Sequence, residues 1–82
     1  MSVAGYIGKN VKAQLDNDMA LELAAVHHLN TAIKDAVAAG DNASRALFEE
    51  ILKDEEEHVD FLEEQLSLID NIGIQNYLAQ QV

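Results

Sequence analysis

Neither cysteine nor proline occurs in this 82-residue chain. Without cysteine there can be no disulfide staple, no zinc–thiolate site and no thiol redox chemistry. Without proline nothing interrupts a long helix from within. Basic residues are few, five Lys and Arg against fifteen Asp and Glu, and the formal net charge is −10. That balance excludes nucleic acid and anionic membrane surfaces as partners and favours cations. Aromatic residues are sparse too, with two Tyr, two Phe and no Trp. No apolar run is long enough to span a bilayer. The first residues carry no basic region followed by an apolar core, so the expectation is a cytoplasmic protein without a secretory signal. A chain this short makes one small domain, whose core is marginal unless a metal or a partner chain supports it.

What the sequence does contain is helical periodicity. Met1 to Gly8 carry two glycines and no helical period and read as an arm, with Asn10 as a helix cap. A first helix is expected over about 11–39, with an apolar line at Val11, Leu15, Met19, Val26, Leu29, Ile33 and Val37. Gly40-Asp41-Asn42 ends it, and Asp41, Asn42 or Ser44 can cap a second helix over about 43–71. The second line is Leu47, Ile51, Leu62, Leu66 and Ile69, with Phe48, Leu52 and Val59 beside it. A short helix over about 74–80 follows Gly73, with Ile74, Tyr77 and Leu78 on one side. The connection at Gly40 is so short that the two long helices must be antiparallel neighbours. The fold class is therefore all-α, a long helical hairpin plus a short C-terminal helix.

Both apolar lines are interrupted by ionisable groups. Glu22 stands between Met19 and Val26, and Glu55-x-x-His58 stands between Ile51 and Leu62. The nearest basic residues in the first helix, Lys12 and Lys34, are more than two turns from Glu22, and Asp18 only adds negative charge. Glu22 and His58 are each 18 residues from Gly40. In an antiparallel hairpin Glu22, Glu55 and His58 therefore fall within about one turn of the same height. An unpaired buried carboxylate is costly, and a metal ion is the compensation that uses all three groups. Asp54 precedes Glu55 and is placed to accept from the outer N–H of a partner's His58. Glu56 and Glu57 read as solvated surface, His28 as a boundary residue, His27 as exposed, and Met19 as core.

A two-helix hairpin cannot cover two full-length apolar stripes by itself. A second copy related by a two-fold axis supplies the missing pair of helices. The resulting homodimer, or a multiple of it, is a four-helix bundle with two Glu22, two Glu55 and two His58 turned inward. One Glu from each of two helices and Glu-x-x-His from each of the other two is the ligand pattern of di-iron carboxylate bundles. Carboxylate oxygens with one imidazole per metal suit Fe(II), Mn(II) or Co(II).

These residues also resemble a known family. Asp18-Met-Ala-Leu-Glu22-Leu is similar to the third bundle helix of bacterioferritin, Glu50 to Glu63 to its fourth, and Ile72 to Gln80 to the stretch entering its short fifth helix. The resemblance covers the C-terminal half of that family only. It implies a ferritin-like bundle with Glu22, Glu55 and His58 as di-iron ligands and Asp54 in the outer shell. It further implies oxidation of Fe(II) by oxygen or peroxide, and iron storage or detoxification. The first two bundle helices have no counterpart here. They would carry the family's haem methionine, and Glu56 stands at the internally equivalent place, so no haem is expected. The family's site tyrosine also has no counterpart, since Leu29 occupies its equivalent position. Two alternatives stay open: one half of a split bacterioferritin that needs a separate partner chain, or a non-catalytic helical assembly module.

Overall fold

The computed structural model describes residues 2–81 and consists of α1 (Val3–Ala38), α2 (Asn42–Ile72) and α3 (Ile74–Gln80). The helices α1 and α2 pack along their length as an antiparallel hairpin, and α3 contacts both of them. The sequence reading of an all-α hairpin with a short last helix holds.

The arm does not. Met1 lies outside the described residues, but the helix already begins at Val3, and Asn10 is inside it. Ser2 is the cap: its side chain accepts from the Gly5 amide at 3.0 Å. Gly8 does not break the helix because it serves a packing contact. A Cβ there would come within 2.9 Å of Cγ1 of Ile74. The glycine thus lets α3 lie directly on α1, a need that arises from a residue far along the chain.

The turn is built as its residues dictate. Gly40 adopts φ +68°, a conformation that L side chains rarely adopt. Asp41 then caps α2, accepting from the Ser44 amide at 3.1 Å and the Ser44 hydroxyl at 2.6 Å. Gly73, at φ +81°, ends α2 and redirects the chain into α3. Tyr77 on α3 is buried, and its hydroxyl donates to Oε1 of Gln65 on α2 at 2.7 Å. The short helix is fastened to both long ones, to α1 at Gly8 and to α2 at Gln65.

The core is thin. Among the described residues the buried apolar side chains are Ala36, Val59, Leu62, Ile69 and Tyr77. Val37, expected on the inner line of α1, is exposed, and Ala36 takes the inner position. Leu47 and Ile51, expected in the core line of α2, are also exposed. The reason is geometric, since a hairpin covers each helix from one side only. The radius of gyration is 17.3 Å, against about 12 Å for a compact domain of this length. The accessible surface is 5751 Å², whereas a compact monomer of 9.0 kDa exposes roughly 4,850 Å².

Candidate metal centre

Glu22 is near the middle of α1, flanked by Leu21 and Leu23, which are both exposed. The helix turns the carboxylate between them, towards α2. There it meets His58, whose Nδ1 lies 3.2 Å from Oε1 of Glu22. The expected levelling of these two residues across the hairpin is thus observed. Their environments differ. The Glu22 side chain is 20 % exposed, whereas that of His58 is 51 % exposed. The second carboxylate oxygen, Oε2 of Glu22, is buried and has no hydrogen-bond partner among the described residues. A buried acceptor left unpaired is rare in folded proteins and marks a place where something else belongs.

Glu55 is half-buried, on the line that continues through Val59 and Leu62 at four- and seven-residue steps. It therefore stands in the centre of the inward stripe of α2, with His58 on its flank. Among the described residues no group of three or more His, Asp or Glu side chains is arranged to hold a metal. One chain joins Glu22 and His58 but does not complete a ligand set with Glu55. Asp54, Glu56 and Glu57 are exposed. His27 and His28 are exposed as well, their rings 6.0 Å apart and tilted by 52°.

The sequence reading passed over Phe61. Its ring lies 6.4 Å from that of His58, and the side chain is largely exposed. The signal was present, since Phe61 is one turn beyond His58. Leu47, Ile51, His58 and Phe61 share a sector of α2 about 80° wide, and Asp54 lies within it. The imidazole is thus set in an apolar stripe that α1 does not cover.

Comparison with known proteins gives a consistent picture. The model of the ferritin-like domain family matches residues 3–72. The bacterioferritin of Mycobacterium avium is 40% identical over 76 residues, 93% of this chain and 48% of that protein. The bacterioferritin of Brucella melitensis is 42% identical over 71 residues, 87% of this chain and 44% of that protein. That of Streptomyces coelicolor is 40% identical over 73 residues, 89% and 44% respectively. The chain therefore spans about half the length of the curated relatives it matches.

Proposed function

The chain belongs to the ferritin-like family, and from that premise we propose that two copies form a four-helix bundle holding two irons between them. Each copy contributes Glu22, Glu55 and His58, and the assembly binds and oxidises Fe(II) for iron storage or detoxification. The observation that carries this reading is the Glu22–His58 pair. One carboxylate oxygen touches the imidazole, and the other is buried and unpaired. Oxygen and imidazole donors of this kind fit Fe(II). Irons bound there supply the redox chemistry, each Fe(II) giving one electron to oxygen or peroxide.

The protein's own residues do the rest. Glu22 and His58 orient each other before any metal arrives. Glu55, central in the inward stripe, would hold iron together with the groups that a second copy brings. Four carboxylates from two chains balance two divalent charges. Asp54, exposed on the same sector as His58, can accept from the outer N–H of the opposite chain's imidazole. No haem enters this reading.

The uncovered surface supports a partner. The excess over a compact monomer is about 900 Å², close to the roughly 800 Å² each side contributes to a standard interface. A separate chain carrying the other two bundle helices is the second reading, favoured by the apolar residues Leu47, Ile51 and Phe61 left exposed on α2. A purely structural module is disfavoured, because an unpaired buried carboxylate oxygen costs stability that an apolar residue would not.

Native mass spectrometry before and after anaerobic Fe(II) addition tests the proposal. The expected result is an even oligomer gaining two irons per pair of chains. An even oligomer that takes up no iron would overturn the metal assignment, and a monomer would point to the separate chain. Among the described residues no helix is long and apolar enough to cross a membrane.

A further inference from the structure

The break between α2 and α3 is one residue wide. The Gly73 amide still donates to the Ile69 carbonyl at 2.8 Å, and the Tyr77 amide already donates to the Gly73 carbonyl at 3.0 Å. Gly73 itself leaves helical geometry, at φ 81° and ψ 153°. A Cβ added there would meet no atom within 4 Å. The glycine is thus required by the backbone conformation and not by crowding. In a continuing helix the Ile72 carbonyl would pair with the Asn76 amide. Here it accepts from the Asn76 side chain at 2.8 Å. That side chain replaces one lost rung, so this carbonyl is paired whether the chain is kinked or straight.

Turning this one residue into helical geometry would merge α2, Gly73 and α3 into a single helix over 42–80. The seven residues of α3 are too few to hold a helix alone. As an extension of α2 they need no nucleus of their own. None of them is charged, and their seat includes the packing of Ile74 on Gly8 and the bond from Tyr77 to Gln65. Gly8 and Gln65 both belong to the hairpin, so a second copy offers the same seat. Straightening carries α3 away from its own seat: Tyr77 is 12 residues from Gln65, a rise of about 18 Å along a continuous helix. A hinge this short, with its residue in a special conformation, is the setting in which an element is exchanged between identical chains.

We infer that α3 is an exchangeable clasp with Gly73 as its hinge. Closed, α3 seats on its own hairpin. Straight, it seats on Gly8 and Gln65 of a second copy, which returns its own α3 in the same way. The seat contacts are the same in both forms and cancel between them. What decides the balance is the conformation of residue 73 against the cost of association. The exchange joins two copies by their α3 ends and leaves Leu47 and Ile51, near the turn, untouched. It requires no metal and is separate from the bundle pairing proposed above.

Gly73→Ala, studied without metal, tests the hinge. Alanine disfavours the kinked backbone, so sedimentation equilibrium should show dimerisation tighter by about tenfold or more than in the unsubstituted protein. In small-angle scattering the longest dimension should grow well beyond the 56 Å of one chain, because hairpins joined at their ends extend away from each other. Adding Gly8→Val, whose side chain would fill the place of Ile74, should return association to the unsubstituted level. Asn76→Ala removes the side-chain rung of the kinked form and should tighten dimerisation too, by a smaller factor. Unchanged or weakened dimerisation in both Gly73→Ala and Asn76→Ala would overturn the hinge. A tighter dimer that stays near 56 Å long, or that survives Gly8→Val, would be a side-by-side pair and would overturn the exchange.

Discussion

The two halves of the hairpin are packed differently. Towards α3, Leu62, Ile69 and Tyr77 are buried, and the tyrosine is anchored to Gln65. Towards the turn only Ala36 is buried, while Leu47, Ile51 and Val37 are exposed. Between the halves lie Glu22, Glu55 and His58, with ionisable groups where a core would be apolar. The α3 half buries more of its apolar side chains within the chain than the turn half does, although Val3, Tyr6, Ile7 and Phe61 are exposed there too. Burial within the chain is therefore uneven along its length, and substitutions should reveal the boundary.

The largest effect is expected at Leu62, the only fully buried large side chain among the described residues. Leu62→Ala should cost about 2–5 kcal/mol through lost transfer energy and a cavity, read as a fall in the thermal unfolding midpoint. If Ile51→Ala lowered that midpoint equally in a dissociated monomer, the contrast between the halves would fail. Next comes the level of Glu22, Glu55 and His58, where the proposed iron site lies. Glu55→Ala should abolish tight Fe(II) binding with little change in far-ultraviolet circular dichroism. In the unsubstituted protein, Fe(II) at a hundredfold over its dissociation constant should add about 2.7 kcal/mol of stability. Anaerobic thermal scans with and without Fe(II) measure this, and retained metal stabilisation in the variant would remove Glu55 from the site.

Tyr77→Phe is a finer probe of the packed half. It deletes the 2.7 Å bond to Gln65 without changing shape, for an expected loss of about 0.5–1.5 kcal/mol. Urea titration resolves a difference of that size, and no change would mean that apolar packing alone holds α3. The smallest effect concerns the turn. The Ser44 hydroxyl and then its amide hold the Asp41 carboxyl below its ordinary pKa. A depressed folded-state pKa gives stability that is present above the unfolded value and lost as pH falls through the folded one. Asp41→Asn keeps a capping oxygen but should flatten this part of the acid limb, visible as pH-independent exchange protection at the start of α2. Persistence of the limb would assign it to other carboxylates.

Much of this architecture was legible in the residues. Gly40 and Asp41 announced the turn, and their distance from Glu22 and His58 brought that pair level. Glu55 was legible as an interruption of an apolar line. The start of α1 was not, because Gly5 and Gly8 carry a breaker's signature while the reason for Gly8 is Ile74, a residue of another helix. The exposed state of Leu47, Ile51 and Phe61 was also hidden. Periodicity identifies an apolar stripe, but not how much of it one neighbouring helix covers. The proposed role of Asp54 and the completion of the proposed ligand set would depend on groups of a second chain, which no spacing within one chain can specify.

The fastening of α3 has a kinetic side. Contacts across the hairpin can form in succession outward from Gly40, each closing a slightly longer loop than the one before. The Gly8–Ile74 contact comes last in that order, since it joins residues 66 positions apart. The loop-closure entropy for such a separation grows only logarithmically, so prior zipping of the helices makes the final step local. The amides of the first turns of α1 should therefore exchange with solvent through opening of this one clasp, independently of the hairpin beneath it.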